Sequence, residues 1–188
     1  MDKDQVVGLI PAAGLGRRAG QPKAGLILDD DPRPLLIRCI EGLRRAGAHQ
    51  IVTIVREEHR VLAESAHAIA VVPPTPTQSM IESILAGLTA IEHADTGFTA
   101  LMLCPVDSAR AAEVAYTWID QAKAAHPFSS IVPEFGKETG HPAWLPRHQW
   151  TRLRSVGCLK RGARAALEDA QRWRVDDSRV LDNVNELP

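Results

Sequence analysis

Cysteine is scarce in this sequence: Cys39, Cys104 and Cys158 are its three, far apart, with no CxxC pair. That spacing excludes a disulfide framework and a Cys/His metal ribbon, and predicts inert thiols in a reducing compartment. An excess of charge is missing too. Its 188 residues hold 22 Lys and Arg against 23 Asp and Glu, a formal net charge of -1, so the basic face of a protein that grips nucleic acid or an anionic membrane is not expected. A small-molecule substrate is the expectation instead. Long apolar runs are absent: the segment after Met1-Asp2-Lys3-Asp4-Gln5 is too short to span a bilayer and lacks signal-peptide architecture, which points to the cytoplasm. No internal repeat, charge block or low-complexity linker interrupts residues 1–188, and 45% hydrophobic content is ample for one core, so a single domain is expected.

What is present is an alternation. Short runs rich in Val, Ile and Leu at Val6–Ile10, Ile51–Val55, Ala68–Val72, Ala100–Cys104 and Ser130–Pro133 predict buried parallel strands. Between them, Pro34–Ala46, Glu57–Ser65, Ser79–Glu92 and Arg110–Ala125 predict helices, the third with Met80, Ile84, Leu88 and Ile91 on one face. Right-handed βαβ crossovers then give an α/β fold, a three-layer αβα sandwich with a mostly parallel, Rossmann-like sheet. The last third is less regular, with a helix expected at Gly162–Arg172 and an apolar piece at Val180-Leu181, and as a whole it reads as completion of the same sheet. Ligands of open α/β sheets sit beyond the carboxyl ends of the strands, which directs attention to the residues after Ile10, Val72 and Cys104.

After the first strand comes Pro11-Ala12-Ala13-Gly14-Leu15-Gly16-Arg17-Arg18-Ala19-Gly20-Gln21-Pro22-Lys23. Small residues let the backbone approach a ligand, and glycine can turn successive N–H groups toward one anion. Two arginines and a lysine add the fixed positive charge that a triphosphate requires. A Rossmann dinucleotide site would need a helix opening at the glycines and an acidic residue closing a second strand some 20 residues on; here Pro22 interrupts, and the next clear strand begins at Ile51. A P-loop would need Gly-Lys-Ser/Thr, which does not follow.

This stretch resembles the signature loop of the MobA-like NTP transferases, the family of molybdenum cofactor cytidylyl- and guanylyltransferases, with sugar-phosphate and methylerythritol-phosphate nucleotidyltransferases as more distant kin. The resemblance implies the nucleotide-diphospho-sugar transferase type of fold. It also implies that the backbone of Ala12, Ala13, Gly14, Leu15 and Gly16 wraps the nucleotide, that Arg18 holds the β- and γ-phosphates, and that Lys23 stabilises charge at the α-phosphate. Further on, Thr77-Gln78-Ser79-Met80-Ile81-Glu82-Ser83 clusters hydroxyls at a helix start, where Ser79 either caps the helix or meets the nucleotide and Ser83, a turn inside, meets it. The family commonly carries an arginine where this chain has Leu85. Pro105-Val106-Asp107 is similar to the family loop whose aspartate binds Mg²⁺, and one carboxylate with a weak helper suffices for that ion. The helper is expected at Asn185, in Asn183-Val184-Asn185, with Asp182 as the alternative. Gly140-His141-Pro142 and Gly162-Ala163-Arg164 also resemble family elements; His141 reads as a turn histidine bonded to backbone. Trp118, Trp144, Trp150 and Trp173 read as packing residues.

The implied enzyme is an Mg²⁺-dependent nucleotidyltransferase that moves a nucleoside monophosphate from an NTP, CTP or GTP, to a phosphorylated small molecule, molybdopterin being one acceptor. Ala13 carries a methyl group where family guanylyltransferases tend to have glycine, which favours CTP by narrowing the base pocket. Two other readings stay open: a nucleotide-binding regulator of the same fold that does not turn over, and an NAD(P)-dependent oxidoreductase.

Overall fold

The computed structural model describes residues 5–16, 20–94 and 97–184. Its frame is a mixed, mostly parallel sheet. The strands are β1 (Val6–Pro11), β2 (Gln50–Ile54), β3 (Ile69–Val71), β4 (Ala100–Leu103), β5 (Ile131–Phe135), β6 (Glu138–Thr139), β7 (Ala143–Pro146) and β8 (Gln171–Arg174). They lie in the order β3-β2-β1-β4-β7-β5-β6, with β8 on β5. The first four are mutually parallel, in the register Gly8↔Ile51 and Gly8↔Met102, while β7 runs antiparallel between β4 and β5.

Residues alternate across this sheet as a pleat dictates. Val6, Ile10, Ile51, Ala100 and Met102 enter one core, covered by helices α1 (Leu35–Arg45), α2 (Arg60–Ser65), α4 (Ala109–Val114) and α5 (Ile119–Ala125). Val7, Leu9, Val52, Ile54, Leu101 and Leu103 enter the other, beneath α3 (Met80–His93) and α6 (Val156–Arg161). The expected sandwich is thereby formed. All three cysteines are free and buried, and burial pushes the Cys39 thiol up. Trp118, Trp144 and Trp150 are buried, and Trp173 packs half-buried against the first core. Among the described residues no helix is long and apolar enough to cross a membrane.

Two expected helices differ. Arg110–Ala125 is broken into α4, a 3₁₀ turn at Ala115–Thr117 and α5. The Thr117 hydroxyl donates to the Val114 carbonyl at 2.7 Å, and Trp118 leaves helical geometry at φ -131° to bury its indole. Gly162–Arg172 is not a helix. Gly162, at φ +82°, ends α6; Ala163–Leu167 form 3₁₀ turns, and Arg172 lies on β8, parallel to β5. Gln171-Arg172-Trp173-Arg174 is an edge strand facing solvent, so it carries no apolar run to announce it.

The hairpin that returns from β5 contains an irregularity. Three residue steps along β5, Ile131 to Glu134, face five along the return path, Thr139 to Trp144. The surplus bulges out at Gly140-His141-Pro142, where the His141 N–H donates to the Val180 carbonyl at 2.9 Å. Because Ala143 pairs with Leu103, the bulge stands at the carboxyl end of β4.

Candidate active site

Three loops converge beyond the carboxyl ends of β1 and β4 to form a cleft of about 330 Å³. The first loop leaves β1 with the Ala12 N–H donating to the Ile54 carbonyl at 2.7 Å. It then doubles back: Gly16 has φ +60°, and a Cβ there would stand 1.7 Å from the Gln21 carbonyl oxygen. Only glycine fits that turn. Gly14 is different, since a Cβ there would meet nothing within 4 Å. Ala12, Gly14, Leu15 and Gly16 line the cleft with Lys23, which opens a 3₁₀ turn at Lys23–Gly25. Ala13 does not line it. Its methyl group is buried in the core beneath α3, so the expected narrowing of the base pocket by that side chain is corrected: the pleat sends alternate residues down, and position 13 points down.

The N-terminus of α3 forms the second wall. Ser79 Oγ accepts from the Glu82 N–H at 3.3 Å, and the Glu82 carboxylate accepts from the Gln78 N–H at 2.7 Å, a variant of the capping box. Ser79 is thus a helix cap that also lines the cleft. Ser83, buried one turn inside, shares a 2.8 Å hydrogen bond with the Thr77 hydroxyl, and both residues face the cleft. Leu85 packs half-buried against the core beneath α3.

The third loop carries Asp107 in the 3₁₀ turn Val106–Ser108. Asp107 Oδ2 accepts from Lys23 Nζ at 2.9 Å, with both side chains largely shielded. Its Oδ1 is buried without a hydrogen-bond partner among the described residues. The Val184 N–H donates to the Asp107 carbonyl at 2.9 Å, which brings the C-terminal segment to the same turn. Arg18 and Asn185 lie outside the described residues. Asp182, the alternative metal contact, directs its carboxylate to Arg110 at 3.5 Å.

These donors fit a hard divalent cation. A buried, unpartnered carboxylate oxygen is costly unless something completes it. Such an ion can take one carboxylate and draw its other oxygens from water and phosphates; among the described residues no three His, Cys, Asp or Glu side chains gather to hold a metal by themselves.

His141 is not bonded as the sequence suggested. Its main-chain N–H donates to the Val180 carbonyl, but its side-chain Nδ1 is buried with no partner among the described residues. Burial lowers its pKa, the Asp107 charge opposes that shift, and the Arg164 charge adds to it. Sequence reasoning missed the lysine–aspartate pair and the docking of residues 178–184, which are contacts between segments that no local pattern reports.

A mostly parallel sheet with a glycine loop after β1 and a shielded lysine–aspartate pair at its carboxyl edge defines an α/β nucleotidyltransferase-type fold. The family model for the MobA-like NTP transferase domain matches residues 8–175, and the chain belongs to that family. A curated relative, 2-C-methyl-D-erythritol 4-phosphate cytidylyltransferase of Rhodococcus jostii (strain RHA1), is 34% identical over 97 residues; the match spans 50% of this chain and 42% of that protein. Rv0371c of Mycobacterium tuberculosis H37Rv is similar in structure, at 20% identity and TM-score 0.67 over 97% of this chain and 93% of that one. A structure of the same protein in complex with manganese matches at 19% identity and TM-score 0.63, over 92% and 89% of the two chains. Molybdopterin-guanine dinucleotide biosynthesis protein A of Archaeoglobus fulgidus matches at 18% identity and TM-score 0.56, covering 90% and 82%.

Proposed function

We propose that residues 1–188 form one domain that transfers a nucleoside monophosphate, CMP in preference, from an NTP to the phosphate of a small molecule, with release of pyrophosphate. The observation that carries this reading is the Lys23–Asp107 pair at 2.9 Å, set in a cleft whose other walls are a glycine loop and the N-terminus of α3. An acceptor phosphate oxygen attacks the α-phosphorus in line; the new P–O bond forms as the bond to the bridging oxygen of pyrophosphate breaks. No protein nucleophile is required, and catalysis is positioning and charge stabilisation. Lys23 offsets charge on the transferred group, Arg18 neutralises the departing pyrophosphate, and Ser79 and Ser83 hold the nucleotide against α3. Asp107 and Asn185 would hold Mg²⁺, which would supply positive charge to offset that of the phosphates.

The preference for CTP rests on the cytidylyltransferase name of the Rhodococcus relative. The acceptor is a phosphomonoester, with molybdopterin and polyol phosphates the first to try. Pyrophosphate release from CTP, GTP, ATP and UTP, measured with pterin, sugar and alcohol phosphates, tests the reading. CTP-dependent release with one acceptor class is the expected result. NTP binding without release from any pair would favour a regulator that has kept the fold, a reading supported by Leu85 in place of a cationic side chain.

A further inference from the structure

Arg110 touches segments from both ends of the chain. It lies in the first turn of α4, three residues after Asp107, and its Nε and Nη2 reach Asp30 Oδ2 at 2.9 and 2.8 Å. Its Nη1 reaches Asp182 Oδ2 at 3.5 Å. Asp30 is itself held by Arg38 Nη1 at 3.2 Å, and Arg38 is buried on a bidentate pair with Glu113 at 2.7 and 3.0 Å. One arm of the Arg110 fork is therefore anchored to a fixed carboxylate, which directs the other arm at the C-terminal segment.

That segment is docked by successive contacts. The 3₁₀ turn Ser178–Leu181 buries Val180, whose carbonyl accepts from the His141 N–H at 2.9 Å. Asp182 then meets Arg110, and the Val184 N–H bonds the Asp107 carbonyl at 2.9 Å. Asn183 is thus flanked by two tethers, one to Arg110 in the first turn of α4 and one to the Asp107 turn. Asn185 follows Val184 in the sequence.

We infer that Arg110 is a positioning residue: through Asp182 it holds the C-terminal segment on the Asp107 turn, so that divalent cation binding there depends on the Arg110–Asp182 pair. The inference rests on the proposed function. An exposed ion pair adds little to the stability of a whole fold. A chain end, however, opens locally at small free-energy cost, so the same contribution governs its docked fraction.

The test uses the full chain, with Arg110→Ala, Asp182→Asn and the double variant. Amide hydrogen exchange at Val184, without metal or nucleotide, reads docking; Mn²⁺ titration in the presence of CTP reads the site. Each single variant is expected to lose about two- to fivefold of Val184 protection and to raise the Mn²⁺ Kd by a similar factor. The double variant should be no worse than Arg110→Ala, since Asp182→Asn removes an interaction that Arg110→Ala has already removed. Unchanged Val184 protection, additive losses, or a loss of protection with unaltered Mn²⁺ affinity would overturn the inference. A wild-type protein that binds no Mn²⁺ with CTP would instead sink the proposed function, while the exchange data still decide whether Arg110 docks the segment.

Discussion

Lys23 and Asp107, 84 residues apart in sequence, form an ion pair at 2.9 Å on the wall of the cleft, with side-chain exposures of 15% and 13%. The two oxygens of Asp107 have different surroundings: Oδ2 is taken by the ammonium, and Oδ1 is buried without a partner among the described residues. One carboxylate thus divides its two oxygens between Lys23 and a position that a cation would fill.

Asp107→Asn tests that division of labour. The amide matches the carboxylate in volume, so the fold should survive with a denaturation midpoint near wild type. It loses the charge both partners use. Nucleotidyl transfer should fall by about 10²-fold or more, the scale seen when one preorganised electrostatic group is removed. Pyrophosphate release at saturating Mg²⁺ checks this, and near-wild-type activity would remove Asp107 from the metal site.

Lys23→Ala should separate binding from catalysis. Charge on the transferred group grows toward the transition state, so kcat should drop more than NTP affinity does. Asp107, left partly shielded and without Lys23, should then bind the divalent cation at least as well as before. A loss confined to NTP affinity, with kcat intact, would make Lys23 a ground-state clamp.

The two glycines of the first loop should respond differently to alanine. Gly16→Ala forces a side chain into a positive-φ position and against the Gln21 carbonyl, at a cost of about 1–2 kcal/mol or more. Gly14→Ala meets open space in the protein, so stability should change by no more than about 0.5 kcal/mol. Gly14 lines the cleft, and its alanine variant should weaken NTP binding nonetheless. Paired denaturation and NTP titration curves distinguish the two, and unimpaired NTP binding by Gly14→Ala would count against close backbone approach at that position.

Strands β1 and β4 of the parallel half were legible because each is buried on both faces and so reads as a nearly unbroken apolar run, as in Val6-Val7-Gly8-Leu9-Ile10. Gly14, Gly16, Lys23, Ser83 and Asp107 line one cleft beyond those strand ends. The antiparallel half was less legible. Edge strand β8 faces solvent, and β6 and β7 are separated by the Gly140-His141-Pro142 bulge, so neither presents an apolar period long enough to read. The direction of the Ala13 side chain, likewise, is fixed by the register of β1 and not by the composition of the loop.

His141 should give the protein an acid-sensitive stability. Burial lowers its folded pKa below the ordinary 6.5, chiefly by desolvating the charged ring. The unfolded chain therefore binds the proton more readily, and stability falls as pH drops through about 6.5 toward the folded value, with no contribution above that window. His141→Gln should flatten this part of the profile. Urea midpoints at pH 7.5 and 5.5 for the two proteins check it; an identical decline in both would assign the acid sensitivity elsewhere.

Ala13→Gly bears on which base the cleft takes. Ala13 is 7% exposed as a residue and packs in the core beneath α3, whereas its neighbours Ala12 and Gly14 line the cleft. Removing it deletes one buried methyl, about 0.8 kcal/mol, and adds glycine's backbone freedom, about 0.5–1 kcal/mol, so the variant should be less stable by about 1–2 kcal/mol. The base should not notice, because no atom facing the cleft has changed. The ratio of kcat/KM for CTP over GTP is therefore expected to stay within about twofold of wild type, well below the 10- to 200-fold that one misplaced methyl in a pocket can produce. A variant of unaltered stability that shifted toward GTP would show that the methyl reaches the nucleotide after all, and would return base selection to this position.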